Sequence, residues 1–103
     1  MTEMTKLINI LVKKQVPFEL VDDEFFGKIT PHIFYPSHEK QKCSVICHEF
    51  SYGGKVGKLE ICGLSEYFTK DGEPVEDGII GWLNAEEVGN AIIADYFFTK
   101  FFE

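Results

Sequence analysis

Two adjacent glycines, Gly53 and Gly54, stand between two runs of strand-forming residues and constrain the chain more than any other feature. Cys43 to Tyr52 before them is rich in β-formers, and the chain extends again from Lys55 onward. A Gly-Gly pair tolerates positive φ at both positions, as the tightest hairpin turns require. Such a turn sets Tyr52 opposite Lys55, and the register follows by counting outward. Glu49 then faces Lys58 as a cross-strand charge pair, Ile46 faces Ile61, and His48 faces Leu59 with Phe50 on the same side. Val45 faces Cys62 on the other side, together with Cys43 and Cys47. The pattern predicts a central antiparallel hairpin whose Ile46/Ile61/Phe50 face is buried.

The flanking segments read as two helices and further extended pieces. Met4, Leu7, Ile8, Leu11 and Val12 recur at helical spacing, so a helix is expected from about Thr2 to Gln15, capped by Thr2 or Thr5 and ended by Pro17. Phe18-Glu19-Leu20-Val21 is a candidate strand, stopped by Asp22-Asp23-Glu24. His32-Ile33-Phe34-Tyr35 is a second, and prolines at both ends place it at the sheet periphery. Two Asp-Gly pairs and Pro74 make Thr69 to Gly78 a loop. Ile79-Ile80-Gly81-Trp82-Leu83 is an apolar lead-in to a helix running from Ala85 to about Lys100. Asn84 with Glu87 three positions on has the form of a capping box. Ala85, Val88, Ile92 and Tyr96 form the core stripe of that helix, with Gly89 allowing close approach to the sheet. The expected fold is a single α+β domain over residues 1–103, in the order α-β-β-β-β-α, with an antiparallel sheet of about four strands flanked by both helices.

Charge narrows the function classes. All ten basic residues are lysine, the net charge is −7, and the acids concentrate after Glu60. Without arginine the chain lacks the planar fork suited to phosphate and base edges. An acidic surface also opposes the counterion release that drives nucleic-acid binding. Direct binding to nucleic acid is therefore not expected. No apolar run approaches the ~20 residues that cross a bilayer. An odd set of cysteines, Cys43, Cys47 and Cys62, with no secretory signal pattern at the N-terminus, points to free thiols in a reducing cytoplasm.

No constellation amounts to a catalytic, cofactor or metal signature. Gly53-Gly54-Lys55-Val56-Gly57-Lys58 resembles a phosphate-binding loop, but its glycine spacing is short and Leu59 stands where Ser or Thr belongs. Cys43 and Cys47 on one strand are ~13 Å apart, too far to share a zinc ion. Small buried hydrophobes are the expected role of the cysteines. Cys47 and His48, as strand neighbours, point to opposite faces. A small enzyme or ligand-binding domain using His48 or a cysteine stays open as an alternative. Glu66, Asp71, Glu73, Glu76 and Asp77 form an acidic cluster without an EF-hand pattern. It is a solvated loop, or a surface that docks a basic host protein or mimics nucleic acid to inhibit a DNA-binding protein.

Tyr96-Phe97-Phe98-Thr99-Lys100-Phe101-Phe102 is the most unusual stretch. Five aromatics in seven residues cannot all face one core. Phe97, Phe98 and Phe101 fall on the side of Glu87, Asn90 and Ala94, away from the core stripe. With Phe102 they are the candidate interaction surface, most simply for a homodimer.

Gly81-Trp82-Leu83-Asn84-Ala85-Glu86-Glu87-Val88, with its Asp-Gly lead-in, resembles a stretch in small uncharacterised proteins of Gram-positive bacteria and their phages. Those proteins end in a similar Gly-aromatic-Leu, cap, Ala-Glu-Glu helix start. The likeness is confined to the C-terminal third. It implies an accessory or host-interaction role and assigns no site residues. The combined expectation is a non-catalytic protein-interaction module.

Overall fold

The computed structural model of the chain describes residues 1–25, 27–68 and 78–102. Helix α1 (Glu3–Lys13) begins where Thr2 accepts the Thr5 N–H on its side-chain oxygen at 3.1 Å, which satisfies one of the donors a helix start leaves open. Met4, Leu7 and Leu11 are its buried stripe. Val12, grouped with that stripe by spacing, is exposed. The chain then leaves the helix through Gln15 in the left-handed region, φ 58°.

Strands β1 (Glu19–Phe25), β2 (Lys28–Tyr35), β3 (Cys43–Ile46), β4 (Leu59–Gly63) and β5 (Ile79–Leu83) follow, and then helix α2 (Ala85–Phe102). Among the described residues these five strands form one antiparallel sheet in the order β1-β2-β3-β4-β5. The fold is α+β with one helix before and one after the strands in sequence, as the sequence predicts. The strand beyond the expected four is β5, the apolar stretch read as a lead-in.

The acids Asp22, Asp23 and Glu24 do not stop β1; they lie within it. As an edge strand, β1 has one side open to water, and charged residues are well tolerated there. Strand β2 is not peripheral, because it pairs on both sides at Ile33 and Phe34. Pro31 pairs only with Asp22 of β1, so its missing N–H costs no bond to β3.

The central hairpin is present, but the glycine pair is not its turn. Residues 47–58 form a wide connection that includes a 3-10 turn at Gly54–Val56, and Gly53 takes positive φ while Gly54 does not. The register is one residue away from the count: Val45 pairs with Ile61, Ser44 with Cys62 and Ile46 with Glu60. A one-residue slip exchanges the faces of one strand relative to its partner, here β3 against β4. The buried face is therefore Cys43, Val45, Leu59 and Ile61, while Ile46 is only half-buried and Phe50 is exposed. Glu49 pairs with Lys28 at 3.5 Å instead of facing Lys58.

The connection between β3 and β4 is held against β5. Gly81 and Trp82 together oppose Glu60, a bulge between the Leu59–Leu83 and Ile61–Ile80 pairs. The bulge turns Trp82 outward at φ 62° and 65% exposure. The wide connection closes over it: the Trp82 N–H donates to the Tyr52 carbonyl at 3.1 Å, and the Tyr52 N–H donates to Glu60 Oε1 at 2.9 Å. A Cβ on Gly81 would lie 2.1 Å from the Tyr52 Cβ, so only glycine admits this approach. A tight Gly53-Gly54 turn would leave the bulge without its partner.

Both helices cover one face of the sheet. Ile33, Tyr35, Cys43, Val45, Leu59, Ile61 and Leu83 meet Met4, Leu7 and Leu11 of α1 and Ala85, Val88 and Ile92 of α2. Gly89 brings α2 close to α1 at Ile10, not to the sheet. The capping box holds as predicted: Asn84 Oδ1 accepts the Glu87 N–H at 2.8 Å, and Glu87 Oε1 accepts the Asn84 N–H at 3.0 Å. Glu3 of α1 adds a tertiary cap by accepting the Ala85 N–H at 2.9 Å, which holds the Glu3 carboxyl below its ordinary range.

Candidate functional site

Helix α2 runs two residues beyond the expected end and carries its aromatics to the tip. Phe97, Phe98, Phe101 and Phe102 are 50%, 62%, 81% and 69% exposed. Tyr96, on the core stripe, is half-buried against the hydrophobic core. Phe98, Phe101 and Phe102 pack on each other, with centroids 4.7 Å apart for Phe98–Phe102 and 5.1 Å for Phe101–Phe102, and Phe97 lies against Tyr96 at 5.6 Å. Taking ~200 Å² for one accessible phenylalanine, the four leave roughly 500 Å² of apolar surface at one helix end. That is near the upper end for the largest patch on a monomer, and such patches are often functional. A second set of exposed apolar side chains, Phe50, Tyr52, Val56 and Trp82, lies on and beside the connection over the bulge.

Sequence reasoning missed the polar centre of the molecule. Asp95, on the buried side of α2, is 8% exposed. Its Oδ2 accepts the Tyr35 hydroxyl at 2.7 Å and the Lys42 ammonium at 3.1 Å, and its Oδ1 accepts the Tyr67 hydroxyl at 3.3 Å. Lys42 also donates to Thr99 Oγ1 at 2.9 Å. Burial first, and then the hydrogen bond to the Asp95 carboxylate, push the Tyr35 phenol far above its usual range. Burial also pushes Tyr67 up, and the charge of Asp95 adds to it. The signal was available: an acid at the heptad distance from Val88 and three residues from Ile92 falls inside the core stripe. A buried carboxylate must be met by donors.

The other candidates separate. Ser44 and Cys62 oppose each other on the uncovered face of the sheet, so Cys62 is exposed while Cys43 is in the core. Burial pushes the Cys43 thiol up to about 12 and Cys47 up from its ordinary value, so both are protonated thiols at neutral pH, the opposite of an activated nucleophile. His48 is not on a strand. It belongs to the wide connection, where its backbone N–H donates to Ser51 Oγ at 3.0 Å and its Nδ1 accepts the Phe50 N–H at 3.1 Å. Glu66 is exposed in the 3-10 turn Ser65–Tyr67. Asp71, Glu73, Glu76 and Asp77 lie outside the described residues. Among the described residues no group of three or more His, Cys, Asp or Glu is placed to hold a metal ion. No helix among them is long and apolar enough to cross a membrane.

Comparison of the chain with protein-family models, with curated proteins and with solved structures finds no match.

Proposed function

We propose that the chain is a non-catalytic interaction module that pairs with a second copy of itself through the aromatic end of α2. The observation that carries this reading is the contiguous exposure of Phe97, Phe98, Phe101 and Phe102 on the last turns of one helix. A second copy is the simplest occupant. Residues 96–102 contain no acid, and their one cation, Lys100, lies over the Tyr96 ring at 5.7 Å. The patch therefore asks for apolar surface and not for a charge complement, and two such patches related by a twofold axis satisfy each other. Together they would bury about 1,000 Å², the lower bound of a specific interface, which implies a weak dimer in the micromolar range. The three free thiols suit a cytoplasmic setting.

Sedimentation equilibrium tests the reading. Each copy carries −7, so added salt is expected to tighten the dimer by screening mutual repulsion. Docking of a basic partner on acidic residues would weaken with salt instead. Phe98→Ser with Phe101→Ser, both at exposed positions, is expected to return the protein to monomer with its circular dichroism unchanged. A wild-type monomer at about 1 mM in high salt overturns the proposal, because association weaker than about −4 kcal/mol is no specific contact.

A further inference from the structure

We propose that the hollow between Pro17, the Tyr35–Pro36 turn and the last turns of α2 is a binding site for a small carboxylate carried on a single flat ring. The hollow has a volume of about 330 Å³. Pro17, Pro36 and Tyr96 give it apolar walls, Lys42, Thr99 and Lys100 its polar rim, and Tyr35 its base. That volume is at the small end of ligand pockets and accommodates one ring with its substituent.

The rim chemistry selects the charge. In a chain of net charge −7, two of the ten lysines converge on this one hollow. The Lys42 ammonium is held by Asp95 Oδ2 at 3.1 Å and Thr99 Oγ1 at 2.9 Å. These use two of its three donors and leave the third for a ligand. Because Thr99 accepts from Lys42, its own hydroxyl proton is available to donate. The Asp95 charge is met by Lys42 and two tyrosine hydroxyls, so it does not cancel Lys100. Lys100 leaves the rim net positive, and the apolar side chains of Pro17 and Pro36 suit a flat ring.

The site is independent of self-association, and the test is run on the Phe98→Ser/Phe101→Ser protein to keep the two apart. Benzoate is titrated while amide shifts are followed by NMR, with acetate and benzyl alcohol as probes that lack the ring or the charge. Benzoate is expected to saturate at a Kd of about 1 mM, as a ligand of its size in a modest pocket would. The shifts should centre on Tyr35, Lys42, Tyr96, Thr99 and Lys100, and the other two probes should bind about tenfold more weakly. Lys100→Met, at an exposed position, should weaken benzoate about fivefold and leave benzyl alcohol unchanged. Acetate as strong as benzoate would reduce the site to surface lysines, and benzyl alcohol as strong would remove the anion from the claim. No saturation by about 20 mM, or shifts away from the hollow, also overturns the proposal.

Discussion

Tyr35→Phe removes a single oxygen from the core and tests whether the Asp95 network holds the two layers together. The hydroxyl donates to Asp95 Oδ2 at 2.7 Å, and both residues are nearly sealed from water at 2% and 8% exposure. A buried hydrogen bond to a charged acceptor contributes roughly 1.5–3 kcal/mol, so a loss of about 2 kcal/mol is expected. For a domain of this size that lowers the melting temperature by about 10 °C. Lys42 remains on the same oxygen but is partly exposed, so its attraction is screened and does not replace the lost donor. Urea denaturation followed by far-ultraviolet circular dichroism gives the stabilities of wild type, Tyr35→Phe, Asp95→Ala and the double variant. Asp95→Ala alone should be the more damaging single change, since it strands Tyr35, Tyr67 and Lys42 together. The coupling energy across the cycle should be about 2 kcal/mol. A Tyr35→Phe loss under about 0.5 kcal/mol, or a coupling near zero, would show that the carboxylate is solvated and the reasoning is wrong.

Alkali should unfold the protein. Cys43 ionises at its ordinary 9.0 when unfolded but is pushed up to about 12 when folded, so the unfolded state loses its proton first. Stability is full below pH 9 and falls as pH rises toward 12, by up to about 4 kcal/mol, with Tyr35 adding loss above its ordinary 10.0. Urea midpoints measured across that range should drop, and Cys43→Val should flatten the slope; an unchanged slope removes Cys43 as its source. Gly81→Ala places a Cβ 2.1 Å from that of Tyr52 and should cost about 2 kcal/mol or more, measured by urea denaturation. Gly57→Ala meets nothing within 4 Å and strains only φ +80°, a cost of about 1 kcal/mol; equal losses would mean that the connection does not close on the bulge. Asn84→Ala opens the capping box and should cost about 1 kcal/mol in the same assay, and a neutral result would leave the cap to Glu3 alone.

Both helices were legible in the residues because their determinants are local. Thr2 bonds three residues ahead, and Asn84 and Glu87 bond each other across the same interval. The side of α2 that carries Phe97, Phe98 and Phe101 also follows from residue spacing alone, as does the exposure of rings that no single core could take in. The α+β class follows from such signals, since apolar periodicity and turn residues are read within a few positions of one another.

The tertiary structure decided the register of the central strands and the interior of the candidate site. The wide connection between the central strands closes on a bulge at Gly81 and Trp82, thirty residues beyond its Tyr52. A slip of one residue reverses which face of a strand is buried, so the Gly53-Gly54 pair could mark a hairpin and still misplace the side chains of β3, where Val45 and not Ile46 enters the core. Asp95 is met by Tyr35, Lys42 and Tyr67 at separations of 60, 53 and 28 residues. No local pattern announces such partners: a buried carboxylate is recognisable as a demand for donors, and only the packed fold says which residues answer it.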